Sequence, residues 1–193
     1  MCKTVRKEVG ILIEFAKDNK AVTETIDNVA EAVVSYLMQK SITLSVAESC
    51  TGGMLSEAVT SVSGASKVYL GGVCSYIEEM KMQVLGVKEE TLEKYTVYSG
   101  QVASEMSRGV MELTGSVASV GITGIAGPDG GTDDKPVGTV YVSVRFGDRE
   151  AVRDLMLYRE CEKADRKTIR QLTTVKALEM LMTLVEQCES EDK

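Results

Sequence analysis

The stretch Ser45-Val46-Ala47-Glu48-Ser49-Cys50-Thr51-Gly52-Gly53 sets a carboxylate, hydroxyls, a thiol and two glycines between two patterned segments. Before the cluster, Ile42 to Ala47 reads as a short buried strand. After it, Leu55, Ala58, Val59 and Val62 recur at helical spacing from Met54 onward. Where a strand stops and a helix begins, the first helical N–H groups lack partners and point at whatever lies over the helix N-terminus. Glycines let a ligand come close to the backbone. Such a loop can bind an anion, stabilise an oxyanion or present a nucleophile. The plainer reading is a turn in which Ser or Thr only caps the helix.

The chain contains no histidine. Ser-His-Asp and Cys-His catalysis are therefore excluded, and the usual zinc sites lose their commonest ligand. A hydrolase built from these residues must activate its nucleophile with Lys, Tyr, a carboxylate or a carboxylate-bound metal. Lys81 meets that need, because a lysine drawn out of water gives up its proton more readily. Tyr76, five residues earlier, can relay a proton or orient a hydroxyl. Cys50 stands beside Ser49 as an alternative nucleophile. Glu48, Asp129, Asp133 and Asp134 are candidate metal ligands, but surface acids are commoner than metal ligands. Neither a metal nor a cofactor is expected.

The elements that must bring these residues together follow from periodicity. Lys3 to Lys17 has helical spacing and reads as an appendage, residues 1–20, set off by a polar break at Asp18-Asn19-Lys20. A second helix fits Glu24 to Lys40, with Thr23 as its cap. After the opening loop, a helix over Gly53 to Ser63 leads to an apolar, β-prone run from Val68 to Tyr76. Gly71-Gly72 inside that run suggests a bulge or a close backbone approach. Short helices follow over Ile77 to Leu85 and Lys88 to Tyr95. Val97-Tyr98 is a brief extended piece. Ser99 caps a helix from Gly100 to Thr114, with Val102, Met106, Val110, Met111 and Leu113 buried. Ser116 to Ile122 is a strand that runs into the glycine-rich loop Thr123 to Pro136. Gly138 to Phe146 and Val152 to Tyr158 alternate about Gly147-Asp148 and predict a hairpin. Lys163 to Gln187 is a terminal helix with an acidic tail, Cys188 to Lys193. This order predicts an α/β fold over residues 21–193: a three-layer α/β/α sandwich on a mixed five-stranded sheet. In such sheets, sites form beyond the carboxyl ends of parallel strands. The loops after the first three strands should meet at one crevice.

Bulk properties narrow the partners. With 193 residues and 44% apolar content, the chain fits one globular domain with an appendage. No apolar run approaches the roughly 20 residues needed to cross a bilayer, and Met1 to Gly10 lacks a signal-peptide core. Cytoplasmic location and no membrane partner are expected. The net charge of −7, without a basic cluster, argues against nucleic acid. The five cysteines are spread without a CxxC pair, so free thiols in a reducing compartment are expected. An assembly of identical chains is also expected.

In matching order, the chain carries Ala47-Glu48-Ser49-Cys50-Thr51-Gly52-Gly53, Gly64-Ala65-Ser66, Gly71-Gly72-Val73, Tyr76 to Lys81 and Leu85-Gly86-Val87. It continues with Thr123-Gly124-Ile125-Ala126-Gly127-Pro128, Gly130-Gly131-Thr132, Lys135-Pro136-Val137-Gly138-Thr139-Val140, Asp165-Arg166 and Ile169-Arg170. This set, from about Thr23 to Glu186, resembles the CinA C-terminal domain family, which includes the nicotinamide-nucleotide amidohydrolases (NMN deamidases). The resemblance implies hydrolysis of the carboxamide of nicotinamide mononucleotide to nicotinic acid mononucleotide and ammonia, without metal. It implies Ser49 as nucleophile, Lys81 as base and Tyr76 as the partner of Lys81. Substrate contacts are expected from Glu48, Cys50, Thr51, Gly52, Gly53, Thr123, Gly124, Ala126, Gly127 and Arg166. The phosphate should lie on Thr51-Gly52-Gly53 and Thr123-Gly124. Where the family reads Tyr-Ser-Asn-Glu-Ala-Lys, this chain has Tyr76-Ile77-Glu78-Glu79-Met80-Lys81. That departure keeps a second reading open: a nucleotide-binding or regulatory module without turnover.

Overall fold

The computed structural model describes residues 19–160 and 165–191. The expected helix over Lys3 to Lys17 lies outside the described residues. The elements are α1 (Asn19–Lys40), β1 (Leu44–Glu48), α2 (Met54–Thr60), β2 (Tyr69–Cys74), α3 (Glu78–Leu85), α4 (Glu89–Tyr95) and α5 (Gly100–Thr114). They continue with β3 (Ala118–Gly124), β4 (Val140–Phe146), β5 (Arg149–Asp154), α6 (Leu157–Glu160) and α7 (Arg166–Glu191). A short 3-10 turn at Ala65–Lys67 joins α2 to β2.

The five strands form one sheet in the order β2-β1-β3-β4-β5. β1 runs parallel to β2 and β3, while β3, β4 and β5 are antiparallel. All five residues of β1 are buried, as a strand covered on both faces requires. One apolar core joins α1, α2 and α7 to Leu44, Val46, Val120, Ile122 and Val142. A smaller core joins Ala47 to Leu85, Leu92, Val102, Met106 and Val110 on the other face. Neighbouring residues of β1 thus feed opposite layers, which makes the fold a three-layer sandwich. On the smaller face, α5 lies against the sheet backbone: a Cβ at Gly121 would stand 2.3 Å from the Ala103 carbonyl oxygen. Only glycine fits there.

The glycine pair of β2 carries the expected bulge, but the atoms crowding Gly72 belong to side chains rather than to another backbone. Register jumps from Leu44↔Tyr69 to Ser45↔Gly71, leaving Leu70 as a bulge. A Cβ at Gly72 would lie 2.5 Å from the Tyr69 hydroxyl and 2.8 Å from Val46. Ser99 caps α5, accepting from the Val102 N–H.

Five expectations need correction. Thr23 lies inside α1 and is not its cap; its hydroxyl accepts from Gln171 Nε2. Asn19 and Lys20, expected in a break, also belong to α1. Leu113 is 58% exposed, because Val102, Ala103, Met106, Ser107 and Val110 carry the face of α5 that packs on the sheet. The second hairpin strand ends at Asp154, not Tyr158: the Asp154 carboxylate accepts from the Met156 N–H, Met156 takes φ 47°, and the chain turns into α6. The expected acidic tail is helical as far as Glu191. Its acids meet Lys40 and Tyr36 through Glu189 and Arg149 through Glu191. Among the described residues, no helix is long and apolar enough to cross a membrane.

Candidate active site

The carboxyl ends of β1, β2 and β3 point to the same side of the sheet. The loops that leave them enclose a cavity of about 440 Å³. Ser49 and Cys50 come from the first loop, Tyr76 to Glu79 and Lys81 from the second, and Gly124 to Gly127 and Asp129 from the third. Val97, Tyr98 and Arg166 complete the wall.

The first loop is held by its own side chains. Glu48, the last residue of β1, is 1% exposed. Its Oε2 accepts from the N–H groups of Gly53 and Leu55 at 3.1 and 3.0 Å, and its Oε1 accepts from Ser56 N–H and Oγ at 2.8 and 2.6 Å. This carboxylate therefore occupies the N-terminus of α2, satisfying donors that a helix start leaves open. From the other side, Arg170 of α7 donates two hydrogen bonds to the Thr51 carbonyl, at 3.0 and 2.7 Å. Ser49 is thus fixed between a strand end and a doubly anchored turn.

These contacts correct the expected substrate contacts. Glu48 binds its own helix rather than substrate. Thr51, Gly52 and Gly53 do not line the cavity, and the Gly53 N–H is already given to Glu48. Thr123 is fully buried and donates its hydroxyl to the Val97 carbonyl at 2.8 Å. The expected phosphate cradle over Thr51-Gly52-Gly53 and Thr123 is therefore absent from the cavity wall. Gly124, Ala126, Gly127, Cys50 and Arg166 do line it.

The second loop brings in the base. Lys81, on α3, is 0% exposed. Its Nζ donates to the Ser75 carbonyl at 2.6 Å and lies 3.1 Å from Ser49 Oγ. Among the described residues no carboxylate forms an ion pair with it. Burial pushes its pKa below the ordinary lysine value, and the Glu78 carboxylate opposes that shift in part. A neutral Lys81 reverses the contact: Ser49 donates, and the amine lone pair takes the proton. Cys50 differs. Burial pushes its thiol up to about 12, which leaves almost no thiolate near neutral pH.

Tyr76 is 61% exposed and does not reach Lys81. Its hydroxyl accepts from Arg166 NH2 at 2.6 Å, while Arg166 NH1 donates to the Gly127 carbonyl at 2.7 Å. The expected Tyr76–Lys81 partnership is thus replaced by an arginine bridge between the second and third loops. In the third loop, the Ile125 N–H is held by the Thr139 carbonyl, whereas the N–H groups of Ala126 and Gly127 have no partner among the described residues. No group of acids, cysteines and histidines there is arranged to hold a metal ion, again among the described residues.

Sequence reasoning missed Val97 and Tyr98 as wall residues, and it left Arg170 with a structural or phosphate role but without its partner, the Thr51 carbonyl. The only signal for the former was two β-prone residues between a helix end and a capping serine.

A sequence profile of the CinA C-terminal domain matches residues 26–185. The chain belongs to the CinA C-terminal domain family. It is 44% identical over 167 residues to a putative competence-damage inducible protein of Acetivibrio thermocellus, covering 86% of this chain and 39% of that protein. It is 46% identical over 155 residues to a CinA-like protein of Thermotoga neapolitana, covering 80% and 36%. The chain thus spans well under half the length of these curated CinA relatives. Two solved structures share its fold. The competence/damage inducible protein CihA of Agrobacterium tumefaciens gives a TM-score of 0.78 at 34% identity, covering 82% of this chain and 94% of that one. A CinA superfamily protein of Escherichia coli gives 0.78 at 33% identity, covering 84% and 91%.

Proposed function

We propose that this CinA domain is an amidohydrolase that hydrolyses the carboxamide of nicotinamide mononucleotide by a Ser/Lys mechanism. One observation carries the reading: Ser49 Oγ lies 3.1 Å from the Nζ of a fully buried lysine whose partners among the described residues are neutral. Neutral Lys81 takes the Ser49 proton as Oγ bonds to the carboxamide carbon. The carbonyl π pair moves onto oxygen, and the unpartnered N–H groups of Ala126 and Gly127 are the donors available to that oxyanion. Protonated Lys81 then gives its proton to the amide nitrogen. The C–N bond breaks, ammonia leaves and an acyl-serine remains. Water, deprotonated by Lys81, attacks the ester; Ser49 recovers its proton and the carboxylate product departs. Arg166, the cation at the cavity mouth, is the phosphate contact that replaces the expected glycine cradle.

The decisive experiment is ammonia release from nicotinamide mononucleotide by the purified protein, with Arg166→Ala and the phosphate-free riboside as companions. Release by wild type, with a raised KM in Arg166→Ala and a poorer riboside, is expected. Binding of the mononucleotide without ammonia release would replace the enzyme with a nucleotide-binding module.

A further inference from the structure

The segment between α4 and α5 is built more firmly than a connection requires. Thr96, β-branched, sits at φ 65°, a conformation that such residues rarely adopt. Lys135, from the far end of the glycine-rich loop, holds this turn. Its Nζ donates to the Tyr95 carbonyl at 3.2 Å, to the Thr96 hydroxyl and to the Tyr98 carbonyl at 2.8 Å. Thr123 holds the Val97 carbonyl from β3, and Ser99 Oγ donates to the Thr96 carbonyl at 3.0 Å. Two elements of the active-site region thus grip four consecutive residues.

What the grip presents is one side chain. Val97 packs on the smaller apolar core. Tyr98 lines the cavity with Ser49 and Lys81 and is only half-buried. Its hydroxyl makes no hydrogen bond among the described residues, so neither core packing nor a polar partner accounts for its placement. The same wall carries three carboxylates, Glu78, Glu79 and Asp129, against Arg166 and Lys81, the latter driven toward the neutral amine by burial. An electron-rich aromatic face in a cavity with surplus carboxylates suits a flat ring that bears positive charge.

We infer that Tyr98 is the face against which the substrate's cationic pyridinium ring lies, and that Lys135 is the positioning residue that holds this face in place. This inference rests on the amidohydrolase reading for the ring's chemistry, but not on turnover.

The test uses nicotinamide mononucleotide and its neutral dihydropyridine form as probes. Affinities are measured by calorimetry on the Ser49→Ala protein, which leaves the amide intact. Tyr98→Leu in that background should weaken the oxidised mononucleotide roughly tenfold, on the scale of one cation–π contact, and the dihydro form much less. Tyr98→Phe should restore most of the affinity, and Lys135→Met should give an intermediate loss. In the Ser49-containing protein the same changes should raise KM while kcat stays within about twofold. A Tyr98→Leu protein that binds both forms as tightly as its parent overturns the inference whether or not ammonia is released. Weakened binding in Tyr98→Leu, together with a wild type that releases no ammonia, would keep the ring-binding face and refute the amidohydrolase reading. Equal loss for the charged and neutral rings would overturn the cationic specificity. Absence of mononucleotide binding in the parent would overturn both.

Discussion

Two charged side chains flank Ser49, and both are removed from water. Glu48 is 1% exposed and Lys81 is 0% exposed. The Glu48 carboxylate accepts four hydrogen bonds, three from backbone N–H groups at the start of α2 and one from Ser56. Among the described residues Lys81 has two partners, both neutral: the Ser75 carbonyl and Ser49 Oγ. Burying a charge is tolerable when donors and a helix dipole replace water, and costly when they do not. The first residue is therefore a structural anchor. The second is driven toward the neutral amine that a serine nucleophile needs. The same physical act, burial, gives rigidity on one side of Ser49 and reactivity on the other.

The largest effect is expected on the reactive side of Ser49. Ser49→Ala and Lys81→Met should each lower ammonia release by about 10⁴-fold or more, with the double variant little worse, because such groups act as a unit. Circular dichroism should report an intact fold. A Lys81→Met protein that retains turnover would reduce Lys81 to another buried structural group.

At the anchoring side the loss should fall on stability. Glu48→Ala leaves buried N–H groups without an acceptor and should cost roughly 3 kcal/mol or more in urea unfolding. A stability change below about 1 kcal/mol would show that the loop does not depend on this carboxylate.

The third effect separates the two residues by pH. Lys81 is depressed in the folded protein relative to the ordinary lysine value of 10.5. Between those two values the unfolded chain holds a proton that the folded chain lacks, so stability rises with pH across that window. Lys81→Met has no such group. Wild type should therefore gain stability relative to the variant as pH is raised toward 10.5, read as paired thermal midpoints. A constant difference would mean that Lys81 is not depressed.

Smaller effects sharpen the picture. Glu78 opposes the shift of Lys81, so Glu78→Gln should move the acidic limb of the kcat/KM profile to lower pH. A shift to higher pH would contradict this. Cys50→Ala should stay within about threefold of wild-type turnover, since a thiol near 12 is no nucleophile at neutral pH. Abolished turnover in a folded Cys50→Ala protein would transfer the chemistry to the thiol.

The amino-acid sequence alone carried the layered α/β order, the helix start at Ser99, the bulge at Gly71-Gly72 and the exclusion of histidine chemistry. It also brought Ser49 and Lys81 forward as a pair. These readings depend on period, turn chemistry and residue type, which are local and need no partner. Which polar group meets which was settled by folding. Arg170 reaches the Thr51 carbonyl across 119 residues, and Arg166 reaches Tyr76 across 90. The sequence suggested an anion site at Thr51-Gly52-Gly53 because a helix N-terminus follows. Folding filled that site with Glu48, because β1 ends close enough for its last side chain to reach the open N–H groups. Tyr98 was unreadable for the same reason. Its place in the wall depends on Lys135 and Thr123, which approach it only after the sheet has formed.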